Sequence, residues 1–263
     1  MDHSAIPGTA GRKVLGIWKG VKDFGEFVRS IYNSFQSLRY LRLRSIWAIV
    51  INQTRFTGID ALPFVVAIAI IIGGTVIIQA STNLPKFGVE EFFGGLLVII
   101  IARELGPLVT ALIVISRSGS AIAAEITVQK WSREILSMEI MGIDTKMYIV
   151  FPRIIASILS ITSLIVIFDT VAFFGGYLLS LTTIYIPMDQ FAQSLLDAFT
   201  FKDIVSALIK SVVYGTLIPL IACYYGFQPR SKFEIPIYVS RAVIRTLFLI
   251  FIINAAVSAI FYF

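Results

Sequence analysis

Between Asp60 and Lys86 the chain carries no charged residue, and residues 246–263 are also uncharged. About 20 apolar residues in a helix cross a hydrocarbon core of about 30 Å, and in lipid only helices and closed barrels satisfy their own backbone hydrogen bonds. Residues 62–80 meet that length, with Pro63 suited to a first helical turn. The stretches 92–115, 154–181, 204–225 and 246–263 are four further spans, interrupted only by Arg103-Glu104, Asp169 and Lys210. Of 263 residues, 57% are hydrophobic and 14% charged, against about 25% charged in a soluble domain. The expectation is an all-α integral membrane protein: an N-terminal region (1–60) with an amphipathic helix, then a five-span domain (61–263).

The placement of the basic residues gives an orientation. Nine fall in residues 1–60, five in 116–153 and four in 226–245, whereas the alternate loops hold only Lys86 and Lys202. Basic loops stay cytoplasmic, so the N-terminus is expected inside and the C-terminus outside. The net charge of +6 then reports topology, and a nucleic-acid partner loses its support.

The first 45 residues lack the apolar core of a cleavable signal. Val14, Val21, Val28 and Phe35 recur every seven residues, as do Ile17, Phe24, Ile31 and Leu38. A coiled-coil seam and an interfacial helix both fit that stripe; Trp18, Phe24, Phe27 and Phe35, which suit lipid, and Lys19, Lys22 and Arg29, which suit anionic headgroups, favour the interfacial helix.

Several chemistries are excluded. One histidine (His3) and one cysteine (Cys223) leave no histidine metal site and no disulfide framework. No phosphate loop, H-E-x-x-H or C-x-x-C occurs, and Ser116-Arg117-Ser118-Gly119 has no histidine base to make it a nucleophile. An intramembrane lipid-modifying enzyme is therefore disfavoured, and the energy source must be a partner or an ion gradient.

The segment 116–153 is the longest between spans. Ile122, Ile126, Ile135 and Met138 recur at helical spacing among Glu125, Lys130, Arg133, Glu134 and Glu139, ending at Gly142 and Asp144. This predicts one or two short amphipathic helices, either solvated or docking a cytoplasmic protein through an apolar face in need of cover. Arg103 and Glu104 fall near mid-span, with Lys210 in the outer half of the fourth; Gly106-Pro107 predicts a kink beside them. Adjacent helical residues point about 100° apart, so Arg103 and Glu104 are not expected to address one spot. A structural salt bridge and a polar site for a lipid phosphate or ion are both open. Asp169 could serve as a counter-ion, Asn254 as an interhelical hydrogen-bonder, and Gly73-Gly74, Gly94-Gly95 and Gly175-Gly176 as close-packing points. Phe191, Leu195, Leu196 and Phe199 predict a short amphipathic helix on the outer face.

At ARELGPLVTALIVISRSGSAIAAEI (102–126) and MEIMGIDTKMYIVFPRIIA (138–156) the sequence closely resembles the MlaE/YrbE family of ABC-transporter permeases, from about residue 12 onward. The resemblance implies a homodimeric inner-membrane permease that moves phospholipids and serves outer-membrane lipid asymmetry. It implies a cytoplasmic MlaF-like ABC ATPase carrying the ATP and Mg, so this chain needs no cofactor. It further implies a periplasmic MlaD-like MCE hexamer and an MlaB-like STAS protein. Arg103, Glu104 and Lys210 match the family's polar positions near the lipid cavity; Val76, Gln79, Leu84 and Phe87 would line its apolar part. Residues 116–153 become the coupling segment, with Glu125, Lys130, Arg133, Glu134, Glu139, Gly142 and Asp144 as the ATPase contacts. The alternative from another class is an ion-gradient-driven transporter or channel using Glu104 and Asp169.

Overall fold

The computed structural model describes residues 9–34, 43–87, 93–181 and 187–262. Among them there is no strand, and five helical stretches are long and apolar enough to cross a membrane: Ile46–Lys86, Phe93–Trp131, Thr145–Leu179, Phe201–Gly226 and Ile235–Tyr262. The chain is an all-α, multi-pass membrane protein. The five expected spans fall within these stretches except at three ends, 92, 181 and 263, which overrun them by one or two residues, residues 92 and 263 lying outside the described residues; elsewhere the helices run past the expected bounds as amphipathic turns.

The first stretch joins α2 (Leu43–Thr57) to α3 (Leu62–Asn83) through a short 3₁₀ turn, with Pro63 in the first turn of α3. A 3₁₀ turn Leu84–Phe87 follows. The second stretch is composite: α4 (Phe93–Leu97), a π-helical segment Val98–Leu105, α5 (Gly106–Val114), a second π segment Ile115–Gly119, and α6 (Ser120–Trp131). Next come α7 (Glu134–Ile140), the 36-residue α8 (Thr145–Ser180), the short α9 (Met188–Ala198), α10 (Phe201–Gly226) and α11 (Ile235–Tyr262).

In lipid, helices gain little from burying apolar surface against each other, so close backbone approach through small residues replaces the hydrophobic drive. Along α3, Val65, Ala69, Gly73 and Ile77 are buried at four-residue intervals and run against Ile161, Ile165, Phe168 and Ala172 of α8. At the crossing a Cβ on Gly176 would lie 2.5 Å from the Gly73 carbonyl carbon, so only glycine fits. Gly94 similarly abuts the Ser194 backbone of α9, whereas Gly95 faces open space and is not a packing point.

Helix starts follow their caps. Asp144 accepts the Met147 amide at 3.3 Å to begin α8, and Thr200 with Asp203 forms a reciprocal capping box at the head of α10. Residues 182–186 lie outside the described residues, but α9 forms where the Phe191–Phe199 spacing predicted it, with Phe191 buried against Tyr177.

The N-terminal helix α1 (Thr9–Ser34) does not stand apart as half of a coiled coil within this chain. Phe24 and Phe27 meet the Tyr224 ring at 5.2 and 5.4 Å, and Lys146 donates to Ser30 at 3.0 Å, so α1 lies across one end of the bundle.

Candidate functional site: a polar seam between three helices

The mid-span charges are brought together. Arg103 Nε approaches Asp203 Oδ1 at 2.7 Å with its N–H off the line, Nη2 reaches the other carboxylate oxygen at 3.4 Å, and the guanidinium sits 4.3 Å from the Tyr262 ring centroid. Asp203 is saturated: it accepts from the Thr200 amide and hydroxyl and from the Tyr262 hydroxyl, each at 2.8 Å. The same carboxylate therefore caps α10 and holds the arginine.

Two turns further along α10, Lys210 has no exposed surface, and its ammonium meets three acceptors, as many as its hydrogens. It donates to the Arg103 carbonyl and to Ser258 Oγ, and lies 3.7 Å from Glu104 Oε1. Pro107 explains the first contact. An α-helix would aim the amide of residue 107 at the Arg103 carbonyl, but proline has none to offer, and Lys210 supplies the hydrogen from another helix. Glu104 accepts in turn from Ser258 Oγ and, at 2.6 Å, from Asn254 Nδ2, and Tyr214 donates to Asn254 Oδ1 at 2.8 Å.

Arg103 and Glu104 thus address the same two helices at different points, Asp203 and Tyr262 for the one and Lys210, Asn254 and Ser258 for the other, in keeping with their 100° separation. Their partners Asp203 and Lys210 are seven residues apart, about 10 Å along one face of α10, and Asn254, Ser258 and Tyr262 form a four-residue stripe on α11. The angular difference is taken up along the helix axes. The π segment helps, since the Gly106 amide bonds Ile101 five residues back and widens the turn that carries both charges. The seam is charge-balanced, and of its four ionised side chains Glu104 is the most open, at 38% exposed.

The other predicted residues divide. Asn254 bonds between helices as expected. Asp169 is no counter-ion among the described residues: its Oδ1 has no partner and packs against the Cα of Gly106. Val76 and Leu84 are half-buried against the α3 core and Gln79 is exposed; none of these three takes part in the seam's hydrogen bonds. The side chain of Phe87 lies outside the described residues.

At the bundle end that carries α1, the expected amphipathic helices are α6 and α7. Their stripe is not left for a partner: Ile122, Ile126 and Ile135 are buried against the chain's own α8 and α10, with Met138 packed beside them. The hairpin folds back because Thr127 and Lys130 bond the Gly226 and Phe227 carbonyls at the end of α10. Glu125 pairs with buried Arg153 of α8 at 2.9 Å, Glu134 accepts from Ser132, and Glu139 from Thr145. Arg133 and Gly142, at φ 62° and 76°, make the two left-handed turns on either side of α7. What faces outward is a different set: Val128, Trp131, Leu136, Ile140 and Met141.

Comparison with known proteins decides what this bundle is. The model of the permease MlaE matches residues 50–260. The chain belongs to the MlaE permease family. Over 258 residues it is 26% identical to a probable ABC transporter permease protein of Rickettsia bellii, covering 98% of each chain. It is 27% identical over 206 residues to the intermembrane phospholipid transport system permease protein MlaE of Haemophilus influenzae, covering 78% of each. It is also 30% identical to the chloroplastic protein TRIGALACTOSYLDIACYLGLYCEROL 1 of Arabidopsis thaliana, over 86% of this chain and 65% of that one. In this MlaE-family chain the sequence pointed to Arg103, Glu104, Lys210 and Asn254 but missed Asp203, Ser258 and Tyr262. The signal for Ser258 and Tyr262 was the 254, 258, 262 spacing inside a stretch that otherwise reads as lipid-facing.

Proposed function

We propose that this permease is the membrane subunit of an ATP-driven phospholipid transporter, working as a homodimer in a bacterial inner membrane with N-terminus cytoplasmic and C-terminus periplasmic. The observation that carries this reading is the half-open Glu104 carboxylate at membrane depth, on a chain related end to end to transporter permeases. A carboxylate left against lipid chains is costly, so such a group faces a polar cavity or another subunit. A two-fold interface between copies supplies both at once. The Haemophilus relative's name supports phospholipid as the cargo.

In this reading Glu104 meets the lipid headgroup, while Lys210 and Arg103 are positioning residues that hold it. Val76, Gln79, Leu84 and Phe87 of the first span supply the apolar wall. On the cytoplasmic side the exposed patch of α6 and α7 seats an ABC ATPase carrying ATP and Mg, with Glu125, Glu139 and Asp144 fixing the shape of that patch more than touching the partner. A periplasmic MCE-domain partner and a STAS-domain accessory complete the assembly.

The test is lipid transfer by the complex reconstituted with its ATPase. Transfer that persists unchanged with a catalytically dead ATPase overturns the reading. Transfer that instead follows an imposed ion gradient establishes the channel or secondary-transporter alternative.

A further inference from the structure

A second lipid-accessible feature lies far from the seam. At the end of the bundle under α1, a groove of about 530 Å³ opens between α1, α10 and α11. Its deeper half is apolar, with Ile221 on α10 and Phe248 and Leu249 on α11. Its shallower half holds Tyr224, Tyr225 and Arg245, one helical turn nearer the end on each helix. The Arg245 guanidinium lies 5.4 Å from the Tyr225 ring centroid and is hydrogen-bonded to the Tyr225 hydroxyl. Gly20 of α1 leaves room for it, since even a Cβ there would stand 3.7 Å from Nη1.

Three facts give this groove a polarity. Arg245 is the last charged residue before the uncharged run 246–263, which puts its guanidinium at the boundary between headgroups and chains. Among the described residues no carboxylate pairs with it; Asp23 of α1 lies toward Tyr224 instead. Arg241, one turn further out, adds a second positive charge, stacked on Tyr238 at 5.2 Å. A cation with no carboxylate partner among the described residues, tyrosine hydroxyls beside it and an apolar slot one turn deeper match a phosphodiester joined to an acyl chain.

We propose that this groove is a phospholipid site in the leaflet next to α1, with the lipid phosphate on Arg245 and one acyl chain between Ile221 and Phe248. The site is independent of the cargo reading. Tyr225 and Lys210 are 15 residues apart on α10, about 22 Å, so a lipid here does not touch the seam. A lipid so held also touches Phe24, and fastens α1 to the bundle.

The test is photolabelling of the full chain, in phosphatidylcholine nanodiscs with the subunits that accompany it, by phosphatidylglycerol bearing a photoactivatable acyl chain. Label is expected on peptides containing Ile221 and Phe248, displaced by unlabelled phosphatidylglycerol but not by diacylglycerol of the same chains. Arg245→Gln is expected to lower that labelling roughly ten-fold, the worth of one charged hydrogen bond, and Arg245→Lys to restore most of it. Phe248→Trp, which fills the slot without touching charge, is expected to lose the label as well. Wild-type labelling in both Arg245→Gln and Phe248→Trp, or equal competition by diacylglycerol, overturns the proposal. Loss of label at the seam alone bears on the cargo and leaves this site standing.

Discussion

Two regions of this permease use the same chemistry at different depths. The seam holds Arg103–Asp203 and Glu104–Lys210; the end under α1 holds Arg117–Asp60 at 3.2 Å and Arg153–Glu125 at 2.9 Å. In the seam, Asp203 and Lys210 are almost wholly buried, and Asp203, Glu104 and Lys210 each have at least two hydrogen-bond partners. In the second region the two carboxylates are about half exposed, at 47% and 50%. Removing one partner of a buried pair strands the other and costs about 3–5 kcal/mol, whereas an exposed pair is worth about 0–1 kcal/mol. The two sets of ion pairs thus do different jobs: the seam fixes how the π segment of the second span, α10 and α11 meet, and the outer pairs trim the orientation of α2 and α6.

The largest expected effect comes from Lys210→Met. It removes two hydrogen bonds and an ion pair at once, leaving the Arg103 carbonyl without its donor and the Glu104 carboxylate without its cation, so thermal unfolding in detergent should show a loss of about 3–5 kcal/mol. Adding Glu104→Gln should restore much of that loss, and a double mutant no better than the single would show that the two act apart. Glu104→Gln alone keeps size and one acceptor oxygen but leaves the buried Lys210 charge unpaired, so the melting temperature should fall while the complex still assembles, and reconstituted lipid transfer should fall by more than the loss of assembled complex. Unchanged transfer would leave Glu104 a structural residue.

Gly176→Val comes next. Its side chain would enter the Gly73 backbone, and loss of about 3 kcal/mol is expected from overpacking, read as a lowered melting temperature. Smaller is Glu125→Gln: with the carboxylate half in solvent, a change under about 1 kcal/mol is expected, shrinking further in high salt. A loss as large as that of Lys210→Met would erase the contrast between the two regions. Smallest is Arg133→Gly, which relieves a left-handed backbone and should be neutral to stabilising by about 1 kcal/mol. On the exposed patch, Ile140→Asp should leave the melting temperature alone and reduce ATPase co-purification.

Much of this was legible in the sequence because lipid imposes simple demands. Uncharged runs of the right length had to be helices, and charges inside them had to find partners. Pro107 marked the irregular helix, though not that the irregularity is a π segment. Asp203 was hidden because residue 203 lies at the edge of a span, where an acid reads as a loop residue; its cap with Thr200 was the available clue. Ser258 and Tyr262 were hidden because a hydroxyl scarcely alters hydropathy. The stripe Ile122–Ile126–Ile135 was correctly read as apolar and helical, but periodicity alone does not say which neighbour covers a face. Here the covering surface is the end of α10, some 95 residues further along the chain.

Pro107 and Lys210 together have a mechanical consequence. The missing hydrogen bond in the second span is replaced by a donor on α10, so the bend of one helix is pinned by another. Sliding α10 along the second span withdraws that pin, frees the backbone around Arg103 to straighten or fold further, and turns Glu104 with it. Relative motion of two spans is thereby converted into a change in what the carboxylate faces.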